Sequence, residues 1–418
     1  MPSEPSTSIT AIGRDFHRVL AAEGISNFGT MLSRLALPWL AALNLQASPL
    51  QMAALLLADV AAAALAALSL GAWVDRSGKR RVMLIADGAC GALLGVLALA
   101  IWLDAVSFAL ILAVAAASGA FTVSFELARS AWIAQHTATA DLPRRNAQLS
   151  ALGSVSETLA FALGGWLYQA LGAAWSLGVD ALSYALSALC LRRVRETAAA
   201  HPSGVPAFSW HAWRQETLHG LRSVATHATL RALAGVQGLL AFSLALAGTS
   251  YMIFVSRELG LPPGHLGMIF ALGGLGSMVG AALAPMLGRR FGPGRTLAAG
   301  LALFALGTAL IPLAQGAGWV AIGLLIAHQI IGDAGHALLD VHDRSLRQSS
   351  APTTLLARAD AAIRSVGHAA TLAGAAIGGV LGNQFGVRLI LWFAVAAAVA
   401  AAFLAAGLLA EQRGRHVD

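Results

Sequence analysis

Apolar residues run along this chain in stretches of about 20, a length that crosses a bilayer as a helix rising ~1.5 Å per residue. Short polar breaks rich in Gly, Pro, Arg and Asp separate them. No water in the hydrocarbon core meets a bare backbone N–H or C=O, so each stretch must satisfy its own backbone as a helix. The pattern predicts twelve spans: 16–45, 50–74, 79–103, 105–130, 144–170 and 173–193, then 229–257, 263–287, 294–315, 317–345, 353–383 and 386–411. The one long polar stretch follows the sixth span. The expected organisation is therefore an N-terminal six-helix bundle (1–193), a cytoplasmic linker (194–228) and a C-terminal six-helix bundle (229–418). Within the linker, 209–227 places Trp and Leu at helical spacing among His and Arg, which suits either a helix on the membrane surface or a solvated connection.

Charge gives the chain a sidedness. With twelve spans, all but Arg34, Arg257 and Arg388 of the 27 basic residues fall on the side that holds both termini. Cytoplasmic loops carry the excess of Lys and Arg, so both termini are expected in the cytoplasm. Composition agrees: 57% of the residues are hydrophobic and 11% charged, where a soluble domain carries about 25% charged residues. The net charge of +7 belongs to loops beside a membrane, and no nucleic-acid partner is expected. The polar start, MPSEPSTSITAIGRDFHRVL, has no short apolar core followed by a small-residue cleavage site, so no cleaved signal peptide is expected. Cys90 and Cys190 lie in separate apolar runs and read as buried thiols rather than a disulfide or zinc ligands.

Enzyme signatures are weak. No GxxxxGK[ST] sequence is present to cradle a nucleoside triphosphate. HTATAD at 136–141 has a His-x4-Asp spacing but sits in a short loop with no domain to hold a substrate. GLGSMVG at 274–280 follows no strand, and Gly273, Gly276, Ser277 and Gly280 suit close helix packing instead. No enzymatic activity, cofactor or metal is expected.

Between spans 2 and 3 a knot of charge interrupts the apolar pattern: GAWVDRSGKRRVML, at 71–84, contains Gly71, Asp75, Arg76, Gly78, Lys79 and Arg80. About 214 residues later, span 8 ends in PMLGRRFGPGRTL, with Arg289 in place of Asp75. Weak repeats of this kind mark secondary transporters. The first loop resembles the signature loop of the major facilitator superfamily, and the likeness extends over nearly the whole chain. ISNFGTMLSRLALPWLAALNLQASPL, FELARSAWIAQHTATADLPRRNAQLSALGS, DALSYALSAL and RSLRQSSAPTTLLARADAAIRSVG are similar to the branch of bacterial siderophore and macrolide exporters.

The resemblance implies an all-α polytopic membrane protein of two pseudo-symmetric six-helix bundles in the bacterial inner membrane. It implies proton-driven export, by alternating access, of an amphipathic small molecule such as a drug or siderophore-like metabolite. An importer of the same fold and a transport-inactive membrane receptor or assembly factor are the alternatives. The implied partners are substrate, protons and lipid, and a monomer is expected.

The loop would act as a gate. Asp75 would meet the positive N-terminal end of helix 11, near Thr353 and Thr354, and pair with an Arg at the end of helix 4, for which Arg129 is the candidate. Topology alone explains Arg76, Lys79, Arg80 and Arg81 through the positive-inside rule, but not Asp75. Near span 5, SETLAFALGG keeps Gly164 and Gly165 of the family's antiporter pattern and lacks its proline.

Ionisable residues inside spans cost at least about 2.5–3.5 kcal/mol each on insertion scales, so each is a functional candidate. Span 1 carries Glu23, Asn27, Thr30 and Arg34 at i, i+4, i+7 and i+11, on one stripe. Span 10 carries Gln329, Asp333, His336 and Asp340 on another, and span 11 offers Arg364, His368 and Thr371. Glu157 lies about 18 Å into span 5 at ~1.5 Å per residue, near mid-bilayer, and is the first candidate for proton binding. Asp333 with His336 is the second, since histidine titrates near physiological pH. Structural ion pairs of Asp333 or Asp340 with Arg364 are the bland alternative. Asp59 and Asp180 fall in the outer parts of spans 2 and 6, with Asp180 read as structural. Asp87 and Glu126 lie toward the basic loop.

Overall fold

The computed structural model describes residues 6–195, 210–350 and 356–414. Helices α1 (Ser6–Trp39), α2 (Pro49–Arg76), α3 (Lys79–Trp102), α4 (Phe108–His136) and α5 (Leu142–Leu191) come first. They are followed by α6 (Trp210–Thr226), α7 (Ala228–Ile253), α8 (Pro263–Phe291), α9 (Pro293–Leu313), α10 (Trp319–Ser350), α11 (Leu356–Phe385) and α12 (Val387–Gly414). A π-helical turn ends α1 at Leu40–Asn44, and another ends α7 at Phe254–Glu258. No strand occurs among the described residues.

Ten of the described helices are long and apolar enough to cross a membrane. One of them, α5, has 50 residues and holds two spans, because Gly172 turns the backbone to φ 82°, a conformation open to a residue without Cβ. The 34-residue α1 completes the twelve-helix all-α architecture. The belt of exposed apolar residues fits a lipid environment: Trp102, Trp175 and Trp319 stand out near span ends, where indole rings favour the membrane interface.

Local sequence sets the boundaries. Ser48 and Gln51 bond reciprocally at the start of α2, Gln51 N–H to Ser48 Oγ at 3.2 Å and Ser48 N–H to Gln51 Oε1 at 2.8 Å, a capping box. Ser107 caps α4 by accepting from Leu110 N–H at 3.2 Å. Gly292 with φ 86° separates α8 from α9, and Pro293 opens α9, where its missing N–H costs nothing.

The chain forms two compact units, Met1–Leu45 with Ala58–Phe208 and Gln46–Leu57 with Ser209–Asp418, so the division passes through α2. In unit 1, Phe16, Val19, Val82, Met83, Trp132 and Leu191 form the buried core around α1, α3, α4 and the end of α5. In unit 2, Leu233, Leu240, Leu297, Leu301, Phe304 and Leu339 do the same for α7, α9 and α10. Glycine faces hold α10 between its neighbours. A methyl added at Gly300 would lie 2.7 Å from Gly335 O, and one at Gly307 would lie 2.7 Å from Gly332 Cα. On the other side, Gly276 and Gly280 of α8 face the backbone of Ile330 and Ala334. Such close approach of helix backbones is what small residues permit in a bilayer.

Candidate functional site

The stripe on α1 lines a small cavity of about 50 Å³ inside unit 1. Glu23, Asn27, Thr30 and Arg34 are all on its wall, joined by Asp87 and Cys90 from α3, Phe121, Phe125 and Glu126 from α4, and Tyr184 from the second half of α5. The stripe faces inward because its helix is pinned along α5. Ser156 Oγ donates to Gly24 O at 3.1 Å, and Asn27 Nδ2 donates to Gly153 O at 3.4 Å. Gly29 lies where a side chain would collide with Asp180 and Ser183, so the last span also presses on α1.

Charges of both signs meet in this region, and one ion pair joins two of its helices. Arg129 of α4 forms an ion pair with Glu23 of α1. Arg34 acts electrostatically on Asp59 and on Glu126. Asp59 itself nests against α4, its Oδ1 2.8 Å from where a Cβ on Gly119 would be. Two further carboxyls are held by hydroxyls alone. Ser187 Oγ donates to Asp87 Oδ2 at 2.6 Å, while the Ser33 hydroxyl and Ser183 Oγ, the latter at 3.1 Å, bond Asp180. Thr30 Oγ1 and Tyr184 Oη bond at 2.8 Å beside them.

Asp87, Glu126, Cys90 and Tyr184 are among the wall residues that sequence reading did not assign to a cavity. A signal existed for α4, where Phe121, Phe125, Glu126 and Arg129 share the helical period of a stripe. For Asp87 the spacing shows only a face of α3. That this face meets the cavity follows from packing against the last span.

Around the basic loop, Gly71, Asp75 and Arg76 belong to the final turns of α2, and their side chains lie outside the described residues, as do Thr353 and Thr354 entirely. The described partners of the loop are backbone carbonyls. After Gly78, Lys79 is buried and its Nζ donates to Val74 O at 2.6 Å and Ser77 O at 3.3 Å. Arg80 donates to Leu191 O at 3.0 Å and Arg192 O at 2.6 Å, and Arg18 reaches Arg193 O at 2.6 Å. These guanidinium groups sit on the last carbonyls of α5, where a helix end is negative. Arg129, the candidate partner of Asp75, is engaged by Glu23.

Glu157 is exposed on α5 and lies outside the cavity wall. With about 100° between successive residues, it shares a face with the exposed Ser154 and Thr158, on the opposite side from the exposed apolar Val155, Leu159, Leu163 and Trp166.

In unit 2, Asp333 bonds Gln329 Nε2 at 3.4 Å, and both side chains occupy the space left open by Gly273 of α8. Neighbouring His328 donates from Nδ1 to Gly307 O at 3.0 Å, and the ring of Tyr251 packs 6.1 Å from it. His336 packs on Phe304 with ring centroids 5.9 Å apart. Asp340 pairs with Arg344 at 2.7 Å, and Arg347 pairs with Asp343 and, at 3.8 Å, with Asp360. The alternative pairings of Asp333 or Asp340 with Arg364 are absent among the described residues. Arg364 and His368 are exposed on α11. Among the described residues no group of His, Cys, Asp and Glu is placed to hold a metal ion, and Cys90 and Cys190 are both free thiols.

Ionisable residues around a cavity among membrane-length helices are features that transport proteins use. Residues 19–359 match the family model of the Major Facilitator Superfamily, and the chain belongs to that family of transporters, which are not enzymes. It is 27% identical over 375 residues to the uncharacterized MFS-type transporter YfiS of Bacillus subtilis, covering 89% of this chain and 87% of the relative. Its fold is shared by the nucleoside transporter NupG (TM-score 0.75, 12% identity, 94% and 99% of the two chains covered). A bacterial homologue of the iron transporter ferroportin is equally similar (TM-score 0.75, 16% identity, 94% and 98% covered). A bacterial homologue of the lysosomal transporter Spinster follows (TM-score 0.66, 14% identity, 98% of each covered). The protein is therefore a multi-pass membrane transporter.

Proposed function

We propose that this transporter couples proton movement to the export of an amphipathic small molecule from the bacterial cytoplasm across the inner membrane. The observation that carries the reading is the unit 1 cavity, where carboxyls and a guanidinium share a wall with Phe121, Phe125 and Tyr184. Such a wall offers polar partners and apolar surface together, as an amphipathic solute requires. The likeness to siderophore and macrolide exporters favours the outward direction. Both termini face the cytoplasm in this reading, the six-helix bundles 1–193 and 229–418 alternate access around the 194–228 linker, and the Gly71–Arg80 loop gates the cytoplasmic side.

Glu157 is the proposed proton carrier. It is exposed on a polar face of α5, apart from the apolar stripe of that helix, and the span expected there would put it near mid-bilayer. Asp333 with His336 is the second candidate.

The test is substrate uptake into everted membrane vesicles driven by an imposed pH gradient, with substrates chosen by resistance and metabolite-efflux profiling of a deletion strain. Glu157→Gln is expected to abolish pH-driven uptake while leaving expression and thermal stability unchanged. Undiminished uptake in that variant removes Glu157 as the carrier. Wild-type uptake indifferent to the gradient removes proton coupling.

A further inference from the structure

We propose that Arg34 is a partner-switching residue: its guanidinium closes on Asp59 of α2 in one orientation of the two units and on Glu126 of α4 in the other. The position of α2 thereby sets which carboxylate is neutralised beside the unit 1 cavity. This rests on the proposed alternating access, and adds to it the side chain through which the motion reaches the cavity wall.

The argument starts from α2, which the two units share. Its residues up to Leu57 belong to unit 2 and those from Ala58 onward to unit 1. The first part lies tight on glycine faces of unit 2. A methyl on Gly379 of α11 would lie 2.4 Å from Ala53 Cβ, and one on Gly382 would lie 3.1 Å from Pro49 Cβ. Helices packed this closely move together. Two residues past the division, Asp59 is seated on α4, its Oδ1 2.8 Å from the Cβ position of Gly119. A shift of one unit against the other therefore acts on α2 where Asp59 stands.

Arg34 faces both acids. It lies 11 residues before Leu45, and Asp59 lies 11 residues after Ser48, so the turn between α1 and α2 brings the two to the same depth. Glu126 stands seven residues beyond Gly119. That is two turns along the same face of α4, about 10.5 Å further along its axis. Arg34 and Glu126 line the cavity together, and Arg34 acts electrostatically on Glu126 and on Asp59. All three residues are exposed. Among the described residues, the Arg34 guanidinium forms an ion pair with neither acid.

The other charges of this wall are committed. Glu23 is paired with Arg129, and Asp87 accepts a hydrogen bond from Ser187. Arg34 is the basic residue among those lining the cavity, and a charge in a membrane-length helix is costly until it finds a partner. Two carboxylates set two helical turns apart compete for it. An orientation that carries Asp59 toward Arg34 gains one pair, and an orientation that withdraws α2 leaves the guanidinium to Glu126. Each pair is made in one state and broken in the other, which is the differential contact a two-state equilibrium needs.

The experiment is pulsed dipolar EPR on the full chain in lipid nanodiscs, with Cys90 and Cys190 replaced by Ala. Spin labels go on Ala105→Cys and Gln315→Cys, exposed loop positions of unit 1 and unit 2. The labelled parent should show two inter-unit distances. Asp59→Asn and Glu126→Gln, isosteric amides at exposed positions, should shift the ratio of the two in opposite directions. Each shift should be about two- to fivefold, the range an exposed ion pair supplies. On an Arg34→Gln background neither amide should move the ratio, because the coupling between the sites is gone. Shifts in the same direction, shifts that persist without Arg34, a ratio that neither amide changes, or a single distance in every variant each overturns the switch. Everted vesicles that carry pH-driven uptake while the ratio ignores both amides keep the transport reading and refute the role of Arg34. Opposite shifts in a chain whose uptake ignores the pH gradient keep the switch and remove proton coupling.

Discussion

Replacing Glu23 by Gln should destabilise this protein more than replacing its partner Arg129 by Gln. The pair ties α1 to α4, with 15% of the Glu23 side chain and 19% of the Arg129 side chain exposed. It is therefore not the solvent-screened surface kind worth at most about 1 kcal/mol. Arg129 Nε is already buried without an acceptor, and Glu23 supplies the guanidinium's ion-pair contact. Glu23→Gln leaves a buried cation that cannot lose its proton, at a cost of about 3–5 kcal/mol. Arg129→Gln leaves a carboxyl that can shed its charge by binding a proton. Its cost is capped near that of an unsatisfied polar group, about 1–3 kcal/mol. The double variant carries neither charge, so it should be more stable than the sum of the single effects by about 1–3 kcal/mol. A denaturation series in mixed dodecyl maltoside and dodecyl sulfate micelles measures all four corners of the cycle. Additive effects, or a Glu23→Gln cost no larger than that of Arg129→Gln, would refute the claim that the pair is buried and coupled.

The same assay reads two further perturbations. Gly335→Ala puts a methyl 2.5 Å from Gly300 O and 2.7 Å from Phe304 N, both backbone atoms that cannot swing aside. It should cost about 1–3 kcal/mol by forcing α9 and α10 apart. Gly95→Ala meets nothing within 4 Å, and should be neutral or stabilise by up to about 1 kcal/mol. Equal effects at the two sites would show that backbone clash is not what the glycines avoid. Arg80→Gln loses charge-assisted bonds to Leu191 O and Arg192 O. Amide hydrogen exchange around Arg192–Arg195 should accelerate, and Arg80→Lys should not restore it, because one ammonium lacks the guanidinium's fork.

The stripe on α1 was legible because Glu23, Asn27, Thr30 and Arg34 repeat at the helical period, and period alone puts them on one face. The twelve spans were legible because lipid forces every apolar stretch of about 20 residues to be a helix. What faces that stripe was not. The carbonyls that hold Arg80 and Arg18 lie more than 100 residues further along the chain, and nothing local marks them. Arg129 illustrates the same limit: its place at the end of span 4 points to the neighbouring loop, and nothing local marks Glu23, which the packing of α1 against α4 brings to it. The seat of Asp333 depends on a missing atom, the Cβ of Gly273 on another helix, which sequence shows only as one more glycine in a glycine-rich span.

The repeat seen at the two basic loops recurs at finer scale. The π-helical turns Leu40–Asn44 and Phe254–Glu258 stand 214 residues apart, each ending the first span of its unit. At the same offset, Glu23 of α1 corresponds to Gln237 of α7, and each meets an arginine from the fourth span of its own unit. Arg129 ion-pairs with Glu23, and Arg347 bonds Gln237 Oε1 at 3.4 Å. The difference lies in where the balancing acid sits. Arg347 is neutralised by Asp343 on its own helix and by Asp360 on α11, so the amide of Gln237 suffices. Arg129 depends on the carboxylate of α1, and that carboxylate lines the cavity. A charge entering the unit 1 cavity therefore meets the acid that holds α1 to α4. In unit 2 the same position carries an uncharged amide, and the corresponding tie has no such dependence on it.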